Sequence, residues 1–253
     1  MTGGGIVNID PIAFTVFGLE VRWYGVLIGT AMLLGVFSCY FRAEKFGIDR
    51  ERIIDICIIA LPAAVIGARF WYVLFNWEYY NGSLEAILNI RGGGLAFHGG
   101  LIFAVAAAVI MCRRWKINVW RLVDLAAPVI ALGQAIGRWG NFFNHEAHGS
   151  ATNLPWAIEV GGEMVHPTFL YESLWCFALF VVLMILSRNI KFEGQIFLLY
   201  AILYSLERFF VEWLRTDSLM IFGLKTAQIV SILAIIVCSI IYYRRRKRSV
   251  TQM

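Results

Sequence analysis

Several ionisable residues of this 253-residue chain sit where a lipid bilayer makes them costly. Arg69, Arg208 and Glu212 fall inside long apolar stretches, and Arg138 falls at the end of one. Tyr24, His98, His166, Tyr171 and Glu172 stand at the beginnings of others. A charged group within a membrane is by default a functional residue whose partner must be named. Arginine stays charged in apolar surroundings and presents a planar donor fork that matches phosphate. At headgroup depth, the ligand that fits two or three such forks is a phospholipid. A nearby histidine adds a group that exchanges a proton near neutral pH. Phosphate binder and proton acceptor together point to transfer chemistry on a lipid. Competing readings stand beside this one. Arg208 and Glu212, four residues apart, can simply pair along one helix face. Arg69 can snorkel to the interface, and His98 can be a satisfied structural histidine.

The elements that must position these groups are membrane helices. Hydrophobic residues make up 60% of the chain and charged ones only 15%, against about 45–50% and about 25% in soluble domains. The apolar residues come in seven blocks long enough to cross a hydrocarbon core, which takes roughly 17–25 helical residues. They lie at Trp23–Phe41, Ile53–Phe75, Leu95–Cys112, Leu122–Ile136, Phe169–Ser187, Ile196–Leu214 and Thr226–Tyr243. The fourth is the weakest, being short and carrying Asp124 and Gln134. The expected fold is therefore an all-α integral membrane protein of about seven transmembrane helices. Residues 1–253 read as one polytopic domain, with no internal repeat or composition break.

Charge sets the expected orientation. Most of the 22 Lys and Arg residues follow the first, third, fifth and seventh spans, as in Arg113, Arg114, Lys116 and Arg121, or Arg244 to Arg248. The positive-inside rule makes those connections cytoplasmic, with the N-terminus outside and the basic tail 244–253 inside. This alternation, rather than one continuous basic surface, also argues against a nucleic-acid partner. Residues 1–20 carry no Lys or Arg, so the first span reads as a retained anchor and not a cleaved signal. Three long polar stretches then lie outside: the arm 1–22, the segment Asn76–Gly94 and the loop of about 137–167. Gly92–Gly94 and Gly99–Gly100 bracket the third span, where glycine permits close approach or unusual backbone angles. Polar groups from six spans thereby reach one level near the outer face, more than a structural ion pair needs.

Other chemistries find less support. His145 and His148 flank Glu146, but one residue too few separates them for the metalloprotease spacing that places both on one helix face. Neither a nucleophile elbow nor a phosphate-binding loop occurs. Cys39, Cys57, Cys112, Cys176 and Cys238 lie in apolar spans without a CxxC pair and read as small hydrophobes. A transporter or lipid-binding protein is the rival from another class, although paired repeats with broken helices are missing. An intramembrane protease lacks its motif.

The run Gly137-Arg138-Trp139-Gly140-Asn141-Phe142-Phe143-Asn144-His145-Glu146-Ala147-His148-Gly149 resembles the signature of the bacterial prolipoprotein diacylglyceryl transferases, G-R-x-G-N-F-x-N-x-E-x-x-G. Asn8-Ile9-Asp10-Pro11, Arg22-Trp23-Tyr24-Gly25, Gly94-Leu95-Ala96-Phe97-His98-Gly99-Gly100 and Arg208-Phe209-Phe210-Val211-Glu212 extend the likeness along most of the chain. One departure is Phe169, where the family usually has Gln. The resemblance implies transfer of the diacylglyceryl group of phosphatidylglycerol to the lipobox cysteine thiol of a preprolipoprotein. A thioether forms and glycerol phosphate leaves, at the outer side of a bacterial plasma (inner) membrane. It implies site residues Tyr24, His98, Arg138, Asn141, Asn144, Glu146, Gly149, Tyr204, Arg208 and Glu212, with no metal or organic cofactor. On that reading Arg138 and Arg208 hold the phosphate and His98 takes the thiol proton. Tyr24, Asn141 and Asn144 orient the headgroup, while Glu146 and Glu212 fix the arginines.

Overall fold

The computed structural model describes residues 10–90, 93–216, 218–221 and 223–251; Asn8, Ile9 and Gly92 of the motifs above lie outside the described residues. The chain starts with a hairpin of β1 (Ile12–Val16) and β2 (Leu19–Arg22). Helix α1 (Trp23–Arg42) follows and ends in a 3₁₀ turn, Ala43–Phe46. Helix α2 (Arg50–Phe75), the short α3 (Trp77–Tyr80) and α4 (Leu84–Leu88), α5 (Phe97–Arg114) and α6 (Val119–Phe143) come next. A hairpin of β3 (Ile158–Val160) and β4 (Glu163–Val165) precedes α7 (Thr168–Leu186) and α8 (Gln195–Leu214). A two-residue hairpin, β5 (Met220–Ile221) with β6 (Leu224–Lys225), leads into α9 (Thr226–Thr251).

Six of these helices are long and apolar enough to span a membrane among the described residues: Trp23–Phe46, Arg50–Phe75, Phe97–Arg114, Val119–Phe143, Thr168–Leu186 and Thr226–Thr251. The sequence blocks numbered seven. The remaining one does form a helix, α8, of 20 residues. It falls short on composition because Glu207, Arg208 and Glu212 interrupt its apolar surface. The fourth block, by contrast, is longer than its hydropathy implies: α6 runs 25 residues through Pro128 and on to Phe143. Arg138 and Asn141 are therefore helical, in the last turns of α6, and not part of a loop. Short hairpins occupy the polar segments, where the all-α expectation had no elements.

Cα packing divides the chain into two compact units, one of residues up to Ser38 together with Val123 onward, the other of Cys39–Leu122. In the first, a buried core of Ala127, Ala131, Leu179, Leu183, Ile196 and Tyr200 joins α6, α7 and α8. Asp124, 1% exposed, belongs to this core as a cap. Its carboxylate accepts from Gly194 N at 2.6 Å and Phe197 N at 2.9 Å, satisfying orphan amides at the start of α8 and meeting the positive end of its dipole. The charge that weakens the fourth block in the sequence thus ties α6 to α8.

In the second unit, α2 and α5 pack through glycine. A side chain at Gly99 would collide with Trp71 and the Gly67 carbonyl, and one at Gly100 would meet Ala64 O at 3.1 Å. Small residues let helix backbones approach closely, which is what holds helices together when no hydrophobic drive exists between them. All five cysteines are free, with Cys112 and Cys176 buried.

Candidate active site

In the first unit, α6, α7 and α8 bring together a cluster of charges. Glu172, the fifth residue of α7, is 1% exposed and lies 2.6 Å from Arg138 Nη2. The same carboxylate lies 3.4 Å from Arg208 and 3.4 Å from Arg215, just past α8. Arg208 also pairs with Glu212 at 2.7 Å, one turn on. The side chains of Arg138 and Arg208 keep 19% and 21% of their surface. Their carboxylate partners are sealed away. This arrangement fixes two guanidiniums from behind while leaving part of each exposed, as a cradle for an anion requires.

The signature segment supports the cluster from one side. Asn141 Nδ2 and Asn144 Nδ2 both donate to Glu146 Oε1, at 3.0 and 3.2 Å. Glu146 therefore orders the two asparagines, whereas the resemblance gave it to the arginines; the carboxylate beside Arg138 is Glu172. The turn after α6 puts His145 and Ala147 at φ 53° and 58°, and Thr168 Oγ1 donates to Ala147 O at 2.6 Å. Gly149 sits where no side chain fits. A Cβ there would come 2.7 Å from His166 Cβ and 3.1 Å from Leu214 O, while its amide donates to His166 O at 2.9 Å. Gly140 has a similar reason, since a Cβ would strike the Tyr24 ring. Tyr24 thereby packs directly on α6 two residues beyond Arg138. Tyr204, one turn before Arg208 on α8, stacks on Tyr200 with centroids 5.7 Å apart.

Phe169 has a clear packing role. It is 6% exposed, stacks on Phe142 at 4.5 Å and meets Trp139 edge-on at 5.4 Å. Trp139 Nε1 in turn donates to Ser173 Oγ at 3.1 Å, and Ser173 Oγ to Ala135 O at 2.9 Å. This aromatic seam locks α6 to α7 on either side of the Arg138–Glu172 pair.

His98 and Arg69 belong to the second unit. His98 is the second residue of α5, exposed, with its ring edge-on to Phe97 at 5.9 Å. Gly99 and Gly100 behind it press α5 onto α2 and so set its position. Arg69 neither snorkels nor faces an anion. It is 8% exposed and donates to the carbonyls of Ala86 (2.6 Å), Ile87 (2.8 Å), Gly93 (2.9 Å) and Gly94 (3.0 Å), with Tyr80 against its guanidinium face. Its charge organises the segment between α2 and α5.

The sequence places Glu172 among the polar groups near the outer face but assigns it no partner, and it does not single out Glu207 or Arg215. A signal existed for part of this set. Tyr204, Arg208, Glu212 and Arg215 recur at spacings of four and three, which aligns them on one stripe of α8. Nothing local says that Glu172, 36 residues before Arg208, lies opposite that stripe.

The prolipoprotein diacylglyceryl transferase family matches residues 11–244. The phosphatidylglycerol–prolipoprotein diacylglyceryl transferase of Clostridioides difficile (strain 630) is 49% identical over 228 residues, covering 90% of this chain and 92% of that protein. The protein of the same name from Finegoldia magna is 48% identical, covering 96% and 98%. The one from Bacillus mycoides is 46% identical, covering 97% and 95%. The chain belongs to the prolipoprotein diacylglyceryl transferase family.

Proposed function

We propose that this protein is a multi-pass membrane enzyme that transfers the diacylglyceryl group of phosphatidylglycerol to the lipobox cysteine of preprolipoproteins. The observation that carries the site assignment is the sharing of buried Glu172 by Arg138 and Arg208. Two forks held rigidly at the ends of α6 and α8 suit a phosphodiester, and a dry setting strengthens their hold on it.

The thiol itself is a weak nucleophile, so sulfur attacks as thiolate. It displaces the phosphate from the glycerol carbon. The carbon–oxygen bond breaks with its electron pair on the phosphate oxygen, and Arg138 and Arg208 stabilise that charge. The role of base falls to His98 on its chemistry and the family resemblance. Tyr24, Asn141 and Asn144 orient the headgroup, with Glu146 ordering the two asparagines. Gly149 allows the close backbone approach seen beside His166, and Tyr204 flanks Arg208.

The whole chain is read as one membrane domain with seven spans, α8 being the one whose polar stripe faces protein. Its N-terminus lies outside and its tail inside, in a bacterial plasma membrane, so that the site opens outward. The test is mass spectrometry of a lipobox peptide incubated with purified protein and phosphatidylglycerol. A diacylglyceryl-modified peptide is expected; an unmodified peptide with properly inserted protein overturns the assignment and favours a lipid-binding protein without chemistry.

A further inference from the structure

Glu207 precedes Arg208 on α8 and is 5% exposed, yet neither of its carboxyl oxygens has a hydrogen-bond partner. Every other carboxylate of the cluster has a cation: Glu172 has three arginines and Glu212 has Arg208. The charged and titratable groups acting on Glu207 come from α6, α7 and α8. They are Arg138 of α6, Glu172 and Cys176 of α7, Tyr204 and Arg208 of α8 itself, and Arg215 beyond its end. An ionised carboxylate buried without a hydrogen bond carries a desolvation cost of several kcal/mol or more. A buried carboxyl left unbonded among three guanidiniums therefore calls for a ligand or a proton.

Charge counting separates the two states. Arg138, Arg208 and Arg215 face Glu172, Glu212 and Glu207; Lys225 is engaged with the carbonyls of Glu212 and Arg215 at the C-terminal end of α8. Ionised, Glu207 adds a third negative charge beside Glu172 and Glu212 and weakens the hold of the guanidiniums on an anion. Protonated, it leaves the guanidiniums facing one negative charge fewer, which favours a singly charged phosphodiester.

Resting on the function proposed above, we infer that Glu207 is a proton-carrying carboxyl of this site. It gives its proton to the phosphate oxygen as that oxygen leaves the glycerol carbon, and its new charge then helps expel glycerol phosphate from the arginines. The balance closes. The sulfur–carbon bond forms, the carbon–oxygen bond breaks onto oxygen, and the oxygen takes the Glu207 proton. The proton that His98 takes from the substrate thiol passes to solvent, and solvent returns a proton to Glu207.

The experiment compares the wild-type protein with Glu207→Gln, which keeps the shape and cannot ionise. Binding of a short-chain phosphatidylglycerol in detergent is measured from about pH 5 to about pH 9, a range over which a phosphodiester keeps one charge. Turnover of a lipobox peptide is followed by mass spectrometry. Wild-type affinity is expected to weaken as pH rises and Glu207 ionises. The Gln variant is expected to bind with wild-type affinity at low pH, to keep that affinity at high pH, and to lose about 10²-fold in turnover, the usual scale of general acid assistance. A merely structural Glu207 would not remove the pH dependence. Wild-type turnover in the variant, or a pH response of binding that survives the substitution, overturns the inference. So does a wild-type affinity that is flat with pH, which needs no variant. A wild-type protein that binds the lipid but modifies no peptide defeats the proposed function instead.

Discussion

Arg138 Nη2 and Glu172 Oε2 lie 2.6 Å apart, joining the last turns of α6 to the second turn of α7. The carboxylate is buried and the guanidinium is not fully so, so on the proposed function Glu172 is the support and Arg138 the phosphate-holding group. Because Arg208 and Arg215 share the same carboxylate, this pair is the point from which the cluster is built.

Arg138→Lys tests the fork. Lysine keeps the charge but not the planar bidentate geometry. Turnover is expected to fall by about 10-fold or more, equivalent to about 1.4 kcal/mol of transition-state stabilisation. Wild-type turnover in an inserted Lys variant removes Arg138 from the phosphate role.

Glu172→Gln takes the shared anion away from three guanidiniums. Deleting one side of a buried ion pair costs about 3–5 kcal/mol because the remaining charge is stranded. At this chain length that corresponds to a fall in Tm of roughly 6 °C or more, read by thermal unfolding in detergent. A Tm unchanged from wild type would mean that the arginines do not depend on Glu172.

His98→Gln asks whether the histidine is the base. A thiol of pKa about 8.5 is only a few per cent ionised at neutral pH, so alkaline conditions replace a missing base in part. Strong loss at about pH 7, with partial recovery towards about pH 9 and intact lipid binding, is the expected profile. Lost lipid binding would make His98 a headgroup ligand, and an unchanged rate across the range would make it structural.

Arg69→Gln should leave the phosphate cluster alone and loosen the segment that Arg69 holds. Four carbonyl partners between Ala86 and Gly94 lose their charged donor. Limited proteolysis is expected to cut this segment several-fold faster than in wild type. Equal protection in the variant would show that the segment is ordered by other contacts.

Orientation is tested by reporters. One fused after Arg248 should report a cytoplasmic location and one inserted near Gly82 an external one, as the distribution of basic residues demands. The reverse result would move the site to the inner face.

What the sequence determined by itself is the membrane character, six of the spanning helices and the identity of the polar groups that needed an explanation. The reason is that transfer from water to lipid is an additive property of neighbouring side chains, so run length and composition suffice. The signature segment was legible too, because its glycines and asparagines are spaced within a few residues. Only the tertiary structure decided which carboxylate meets which guanidinium. Glu172 and not Glu146 backs Arg138, Asp124 caps a helix 70 residues away, and Arg69 serves backbone carbonyls. Such pairings depend on how α6, α7 and α8 are rotated against one another. That rotation is set by contacts such as the Trp139–Phe169 seam and the Trp139–Ser173 hydrogen bond, between residues whose separation along the chain carries no trace of their meeting.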